Sequence, residues 1–544
     1  MAIDNITPSE QTPLLQDAPK PHDEDGQPTE EETIIPSEIS TRRLVLTLGS
    51  IYVGVFLGAL DSTIIATLSA PISTSFQSLA LLSWLASSYL IANAACQPLS
   101  GRLTDIFSRR TGLVVSNILF AAGNLLCGLA DSEWSIIAGR VVAGMGGGGL
   151  MAISTFVASD LVPLRKRGVI QGVGNVCFGT GAGLGGVFGG WVNDTWGWRV
   201  AFLVQVPFVV ISGILVWFVV DVPAKASNKS KLSRIDFLGA GTLVITLVLL
   251  LLGLNSGGNI VPWTHPLVLT TLPLSILSLG AFIYIEANIA PEPVIPVRLL
   301  LNRTVAAACL CNWFATMVVF MILFYIPIFF QVKGLSTTAS GMRLIPQSVG
   351  ASIGSLGCGI IMNQTGKYKL LSIIVLFSLC LGTGLLVTLG MDTPDWPSYI
   401  YQFLVGIGYG GMLTVTLLAV IAAVSHDHQA VITSATYAFR STGSTIGVTV
   451  ASAVYQNILL SSLHAKFDGQ DGAKERIQRI RDSFEELKYL PPSWRLGVRQ
   501  SFEGALRGVF LTALGMAVLG AVCGLFIRQY VLHKDLARRG SVGS

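Results

Sequence analysis

The sequence predicts an all-α polytopic membrane protein whose fourteen transmembrane helices are arranged as six, two and six. Two observations lead to this fold class: a composition that suits lipid, and motifs that occur twice along the chain. Of the 544 residues, 51% are hydrophobic and only 12% are charged, and the mean hydropathy is +0.64. So much apolar surface requires a lipid solvent.

Three motifs recur in the same order in the two halves of the chain, about 260 residues apart. One is a charged turn between apolar runs, and the other two contain glycines. The first and second copies are G-R-L-T-D-I-F-S-R-R (101–110) with G-I-I-M-N-Q-T-G-K-Y-K (359–369), A-G-M-G-G-G-G-L-M (143–151) with V-G-I-G-Y-G-G-M-L (405–413), and F-G-T-G-A-G-L-G (178–185) with F-R-S-T-G-S-T-I-G (439–447). This ordered repeat predicts two pseudo-symmetric helical bundles.

The apolar runs set the number of membrane crossings. Each run is about 20 residues long, enough to cross a hydrocarbon core of roughly 30 Å as an α-helix. The predicted spans are 44–68, 79–100, 112–130, 134–158, 168–191, 200–220, 236–254, 266–288, 304–332, 341–362, 368–390, 398–424, 430–460 and 505–530. Lysine and arginine concentrate in turns on one side, so the positive-inside rule places both termini in the cytosol.

The repeat spacing assigns six spans to each bundle and leaves two extra spans between them. The predicted domains are a disordered acidic cytosolic tail (1–40), an N-terminal six-helix bundle (41–221), two extra transmembrane helices with linkers (222–303), a C-terminal six-helix bundle (304–530) with a lumenal loop (461–504), and a cytosolic tail (531–544). The lumenal loop repeats apolar residues at helical spacing, at Ile477, Ile480, Phe484 and Leu487. We expect an amphipathic helix there, on the membrane surface.

The N-terminal tail is polar and acidic. It holds ten acidic residues against Lys20 alone, so it cannot bury a core and we expect it to be disordered. Within it, Glu10, Leu14 and Leu15 have the form of an acidic dileucine signal, which a sorting adaptor binds as an extended peptide. The alternative, two chance leucines in a disordered tail, has equal weight.

The charged turn between the second and third spans carries a family resemblance. Gly101, Asp105 and the basic pair Arg109 and Arg110 resemble the signature of the major facilitator superfamily, which implies the major facilitator fold. Three further motifs are similar to its fourteen-span drug/proton antiporter branch: L-D-S-T-I-I (60–65), R-V-V-A-G (140–144) and W-R-V-A-F-L-V-Q-V-P (198–207). Together these motifs cover most of the membrane part.

Two departures from the branch pattern bear on the substrate. In the glycine series of the fifth span, Gly186 stands where the branch has a proline, and in the fourth span Ala143 stands where it has a glutamine. These changes suggest drift away from drug efflux. Fungal vacuolar basic amino-acid transporters belong to this branch, and the acidic dileucine tail resembles theirs.

The resemblance implies a proton-coupled antiporter of the vacuolar membrane that moves lysine, arginine and histidine into the vacuole. One alternative is a multidrug or siderophore/proton antiporter of the plasma membrane. A second alternative is a nutrient receptor with the shape of a transporter. Receptors of that kind usually add a long cytosolic domain, and the longest predicted cytosolic pieces here are the tail and the turn at 221–235.

Charged side chains are rare within the predicted spans, where each costs about 3 kcal/mol or more at a helix centre. Asp61 is the one carboxylate well inside a predicted span, and we expect it to exchange protons and to compete for a cationic substrate. The alternative is that it caps or braces a broken helix. Arg140 and Arg440 are its basic counterparts. The resemblance links Arg140 to proton relay, and the alternative for both arginines is that they tie helices together.

Two further sets of residues follow from the resemblance. Asp105, Arg109 and Arg110 are similar to a cytosolic gate that closes in one conformation, with Gly101 beside them and Asn363 and Lys367 as their second copy; a purely topogenic role is the alternative. The glycines of the fifth span are expected to let helix backbones pack closely, more than to gate; they are Gly181, Gly185, Gly186, Gly189 and Gly190.

Other function classes fit poorly. All six histidines lie outside the predicted spans, which argues against an intramembrane enzyme, and no nucleotide-binding loop is present in the sequence. The basic residues lie in short turns and not in an aromatic-rich patch, which argues against nucleic acid. We expect no cofactor and no metal, and a monomer whose partners are protons, a small cationic amino acid and the bilayer.

Overall fold

The computed structural model describes residues 41–78, 80–161, 164–221, 236–257, 261–290, 297–424, 429–467, 473–482 and 491–530. Within these ranges the chain is helical, with short turns between helices. Fourteen of the described helices have at least fifteen residues. The predicted sorting signal at Glu10, Leu14 and Leu15 lies outside the described residues.

The first half contains six long helices and one short one. They are α1 (Thr41–Phe76), α2 (Ala80–Ile106), α3 (Arg109–Gly128), α4 (Glu133–Leu161), α5 (Leu164–Trp196), α6 (Trp198–Leu203) and α7 (Gln205–Val219). Helices α6 and α7 are separated only by Val204, whose backbone is itself helical, so they act as one rod. The side chain of Ser108 caps α3 by accepting a hydrogen bond from the Thr111 amide.

Two helices between the halves pack on one another. These are α8 (Phe237–Ser256) and α9 (Pro266–Asn288). The Asp236 carboxylate begins α8 by accepting a hydrogen bond from the Gly239 amide at 2.8 Å. Helix α8 also contacts helices from both halves, so the pair lies against the bundle and not inside it.

The second half repeats the long helices of the first. It contains α10 (Val297–Leu300), α11 (Arg303–Val332), α12 (Thr337–Met342), α13 (Ile345–Thr365), α14 (Lys369–Val387), α15 (Pro397–Ala423), α16 (Gln429–Phe467), α17 (Ala473–Asp482) and α18 (Pro492–Leu525). Helix α11 is buried over most of its length, which places it at the centre of the second bundle. The all-helical fold predicted from the sequence is confirmed.

Eleven helical segments of the described chain are long and apolar enough to cross a membrane. Helix α8 supplies a shorter apolar segment, Leu238–Leu254. Helices α2 and α5 are not among the eleven, although each has more than 25 residues, because they carry many polar and small residues. The count of fourteen crossings therefore stays a prediction.

Glycines of α4 bring two neighbours close on opposite faces. Gly144 and Gly148 face α2, and a Cβ atom added to Gly144 would lie 2.3 Å from the carbonyl oxygen of Tyr89. Gly146 and Gly149 face α3 in the same way. Only hydrogen fits where backbones approach so closely, so the glycine run sets the position of α4 between its neighbours.

The second half makes the same contacts with the equivalent glycines of α15. Gly406 and Gly410 face α13, and a Cβ atom on Gly406 would lie 2.1 Å from the carbonyl oxygen of Gln347. Gly408 and Gly411 face α14. Each of these four glycines follows its counterpart on α4 by 262 residues. The duplication is thus present in the helix packing as well as in the sequence.

The region predicted as a lumenal loop, 461–504, is largely helical. Helix α16 continues to Phe467 and α18 already begins at Pro492. Between them lies α17, whose Ile477 and Ile480 are buried in the protein core, so its apolar face packs on the protein and not on the lipid surface. The other two apolar residues of the expected helix, at 484 and 487, lie outside the described residues.

Candidate functional site

A cavity lies between the two halves. It holds about 840 Å³ of unoccupied space, its open mouth included. Its wall is formed by α1, α2, α4 and α5 from the first half and by α11 and α16 from the second. The lining includes aromatic and amide side chains, which are Tyr52, Tyr89, Phe178, Phe320, Tyr437, Asn93, Gln97, Gln171 and Asn175.

The cavity lies towards the predicted cytosolic end of the bundle. Tyr52 lies in the first part of α1, Ala158 near the end of α4, and Tyr437 in the first part of α16, and all three line it. Hydrogen bonds from Gln171 to the Tyr437 hydroxyl (2.9 Å) and from Asn175 to the Ser355 hydroxyl (3.0 Å) connect the halves at this level.

The opposite end is closed by contact between α5 and α12. The Asp194 carboxylate accepts a hydrogen bond from the Thr338 amide at 3.2 Å, across the two halves. Beside it, a Cβ atom on Gly190 would lie 2.6 Å from the Thr338 backbone, and one on Gly341 would lie 2.2 Å from the carbonyl oxygen of Gly186. This backbone contact leaves no passage between α5 and α12.

Asp61 and Arg140 form an ion pair inside the first bundle. The Arg140 Nη1 atom donates to Asp61 Oδ2 at 2.8 Å, and the side chains are 1% and 0% exposed. Asp61 lies midway along α1 and Arg140 in the first part of α4. A buried pair of this kind is neutral as a unit, and removing either charge would leave the other without compensation.

Neighbouring groups hold the ion pair in place. The Arg140 guanidinium lies 4.2 Å from the centre of the Tyr89 ring and donates from Nε to the carbonyl oxygen of Leu85 at 3.3 Å. The Gln205 amide, anchored on the Ala201 carbonyl, approaches the other Asp61 oxygen at 3.5 Å. These contacts involve residues of α1, α2, α4, α6 and α7, so a change at the ion pair affects five helices.

The ion pair is next to the cavity and not in its lining. Ser62 follows Asp61 in the chain and lines the cavity, and Tyr89 has one side on Arg140 and also lines the cavity. The Tyr89 hydroxyl donates to the carbonyl oxygen of Gly58 at 3.3 Å. Tyr89 is therefore the wall between the buried charges and the central space.

Arg440 is the one charged residue in the lining of this cavity in the described chain. Its guanidinium lies 5.5 Å from the ring centre of Phe178, 5.8 Å from that of Tyr437 and 6.0 Å from that of Tyr409. It is partly exposed. The structure thus puts Arg140 and Asp61 together and leaves Arg440 in a different place, facing the cavity.

The arginines of the predicted gate are tied to neighbouring helices. Arg109 donates to the Thr104 hydroxyl at 2.7 Å and lies over the Phe156 ring of α4. Arg110 binds the Asp221 carboxylate at 3.1 Å, at the end of α7. Gly101 and Asp105 lie in the last turns of α2, and the Asp105 side chain is outside what the structure describes. The gate stays a prediction, and Asp221 is a partner that the sequence did not indicate.

The second copy of the turn is bound differently. Asn363 and Lys367 are exposed, and the turn is held instead by the residue Gln529, whose side-chain oxygen accepts from the amides of Tyr368 (3.0 Å) and Lys369 (2.9 Å). The two turns are therefore similar in sequence but differ in the contacts that hold them.

The glycines of α5 have two faces. Gly181, Gly185 and Gly189 approach α1, where a Cβ atom on Gly181 would lie 2.4 Å from the carbonyl oxygen of Phe56. Gly186 and Gly190 approach α12 across the two halves, as described above. The sequence pattern indicated close packing, and the structure adds that one of the two faces closes the cavity.

Two bundles of membrane-crossing helices, related by repeat and separated by a central cavity, define a secondary transporter. The chain belongs to the Major Facilitator Superfamily, whose family profile matches residues 51–448. Solved structures agree on the fold: an inward-facing, unoccupied bacterial homologue of the human lysosomal transporter Spinster superposes with a TM-score of 0.61 at 14% identity, over 90% of this chain and 97% of that chain.

Two similar relatives come from Schizosaccharomyces pombe. One, named multidrug resistance protein fnx1, is 37% identical over 522 residues, which are 94% of this chain and 98% of the relative. The other, named vacuolar membrane amino acid uptake transporter fnx2, is 34% identical over 505 residues, which are 92% of this chain and 87% of the relative. The relatives thus carry two different transport descriptions.

Proposed function

We propose that this chain is a proton-coupled antiporter of the vacuolar membrane that carries basic amino acids into the vacuole. The observation that carries the proposal is the buried pair of Asp61 and Arg140, whose guanidinium lies against Tyr89 of the cavity wall. The similarity to fnx2, which covers most of both chains, supports an amino acid as the cargo and the vacuolar membrane as the location. The dileucine of the tail would direct the protein there.

The geometry suggests how a proton and a cation exclude one another. While Asp61 is ionised, its charge cancels that of Arg140 and the cavity wall beside Tyr89 is neutral. A proton on Asp61 leaves Arg140 uncompensated, and the wall gains one positive charge in a region of low dielectric constant. A cationic cargo is then repelled. Proton binding and cargo binding therefore compete, which is the requirement for exchange.

A different cargo is the second candidate. The relative fnx1 is described as a multidrug resistance protein, and the aromatic lining at Tyr52, Phe178 and Phe320 would also suit a flat organic cation. The exchange of cargo for protons would be the same for either cargo. The candidates differ in whether a free amino acid or an apolar cation occupies the cavity.

Transport into sealed vesicles tests the proposal. The purified protein is reconstituted, an inside-acid proton gradient is imposed, and uptake of labelled lysine, arginine and histidine is compared with uptake of a cationic dye. We expect gradient-driven accumulation of the amino acids that a protonophore abolishes. Uptake of the dye alone would favour the second candidate, and uptake of neither would contradict both.

A further inference from the structure

Arg440 has no counter-charge among the residues that the structure describes. In the described chain no carboxylate lies within 4.0 Å of its guanidinium, and its neighbours are the rings of Phe178, Tyr437 and Tyr409. Aromatic faces attract a cation but do not neutralise it. A positive charge deep in a membrane protein is expensive without a partner, so an anionic group entering the cavity would find a ready site.

The internal repeat shows that the fold does not require this charge. Gly181 and Gly185 of α5 pack on α1 as Gly443 and Gly447 of α16 pack on α11, in each case 262 residues later. By the same offset, the counterpart of Arg440 is Phe178, which faces it across the cavity. One half builds the same helix packing with an uncharged ring. The arginine is therefore an addition to the cavity and not a part of the scaffold.

A hydrogen-bond acceptor without a partner lies close by. The Oε1 atom of Gln97 is buried and accepts no hydrogen bond from the described residues, while its Nε2 donates to Asn93 at 2.8 Å. Asn93 in turn accepts from the hydroxyl of Ser441, which follows Arg440 in the chain, at 3.4 Å. Gln97, Asn93 and Arg440 all line the cavity. A free acceptor of this kind suits an N–H donor such as an ammonium group.

We propose that the cavity binds the α-amino-acid group of its cargo, with the carboxylate on Arg440 and the ammonium on the Gln97 carbonyl oxygen. The inference rests on the proposed function and adds the chemical group by which cargo is chosen. A guanidinium can hold a carboxylate through two parallel hydrogen bonds. The basic side chain of the cargo then extends away from Arg440. Amines that lack the carboxylate are poor cargo.

Competition with matched compounds tests the proposal. Uptake of labelled lysine into proteoliposomes is challenged with lysine, with lysinamide, which lacks the carboxylate charge, and with cadaverine, which lacks the carboxylate altogether. Binding of the same compounds is followed by thermal stabilisation of the detergent-purified protein. For the wild type we expect lysine to compete and the other two to be roughly tenfold weaker or more, as for the loss of a charge-assisted hydrogen bond.

Variants of Arg440 give the matched control. In Arg440→Gln, lysine should lose affinity to the level of lysinamide, whose own affinity should change little; Arg440→Lys, which keeps the charge, should retain part of the preference and shows that the site still folds. Equal competition by lysine and lysinamide in the wild type would overturn the inference while leaving amino-acid transport standing. Uptake of a cationic dye with no response to any amino acid would overturn the inference and the proposed function together.

Discussion

Arg140 and Arg440 differ in what compensates their charge. Arg140 has Asp61 at 2.8 Å and is hidden from the cavity, whereas Arg440 faces the cavity among aromatic rings. An ion pair in a low-dielectric region is neutral until a proton binds to its carboxylate. An arginine without a carboxylate partner can instead bind an anionic ligand. The two arginines therefore suit two separate tasks, coupling and recognition.

Asp395 anchors a charge cluster outside the membrane-spanning segments. Its carboxylate binds Lys333 at 2.6 Å and Arg343 at 2.9 Å, and so connects the end of α11 to the turn before α13. The hydrogen bond from Lys333 and the nearby positive charges hold the pKa of the Asp395 carboxyl below its ordinary value of 3.8. A carboxyl with a depressed pKa stabilises the folded state above that ordinary value, and this contribution is lost as the pH falls further.

We predict that Asp395→Asn lowers the thermal stability near neutral pH, because Lys333 and Arg343 lose their shared partner. The variant should also lose less stability than the wild type when the pH falls below about 4. The measurement is thermal unfolding of the purified protein across pH. Asp392→Asn is the control, since Asp392 is 98% exposed and its surface ion pair with Arg499 should contribute little. A wild-type pH profile in Asp395→Asn would contradict the account.

Individual residues of the site could be predicted from the sequence when they are charged and lie in an apolar stretch. Asp61, Arg140 and Arg440 stand out because they interrupt apolar runs. Their pairing could not be predicted, since Asp61 and Arg140 are 79 residues apart in sequence and nothing local favours that pair. Neutral residues that complete the site, such as Tyr89 and Gln97, carry no signal in sequence because they resemble ordinary residues of a polar helix face.

At the scale of elements, α5 combines two functions in one helix. One glycine face packs on α1 within the first bundle, and the other meets α12 of the second bundle. The first face is an internal contact that need not change. The second lies between the halves, so it must separate if the cavity is to open towards the opposite side of the membrane.

We predict that Gly190→Leu favours a state in which α5 and α12 are apart, because its Cβ would lie 2.6 Å from the Thr338 backbone. Spin labels at Thr195 and Ser336, both exposed, would report the separation as a distance distribution. We expect a shift to longer distances. Gly357→Leu on α13 is the control, because a Cβ at Gly357 meets nothing within 4 Å. An unchanged distribution in a folded Gly190→Leu protein would count against a closing role for this face.

Hydropathy predicted where the helices are but not where they end. The apolar run of the thirteenth span stops near residue 460, yet α16 continues to Phe467, whose ring stacks on Trp494 of α18 with the ring centres 4.0 Å apart. That contact and the burial of Ile477 are tertiary packing interactions that lie beyond the end of the predicted span. Helix ends that depend on tertiary contacts cannot be predicted from a window of apolar residues.

At the scale of the whole molecule, the repeat determines where the site can be. Equivalent glycines on α4 and α15 hold their neighbours in the same way, so the halves are similar bodies with a cavity between them. The sequence predicted this plan because three motifs recur in the same order about 260 residues apart. It did not predict which conformation is adopted: closure depends on contacts between the halves, such as Asp194 with Thr338, which the repeat does not encode.

Asp61→Asn tests directly whether the Asp61–Arg140 pair couples protons to cargo, because the substitution keeps the shape of the side chain and removes its charge. Removing one partner of a buried ion pair can cost about 3–5 kcal/mol of stability. The double variant Asp61→Asn with Arg140→Gln, which restores neutrality, is therefore measured beside it.

The measurement is lysine uptake per folded molecule in proteoliposomes across pH, with and without a proton gradient. The account predicts that both variants lose gradient-driven accumulation and that any lysine exchange that remains no longer depends on pH. Gradient-driven accumulation at the wild-type level, with the wild-type pH profile, in a folded Asp61→Asn protein would contradict it.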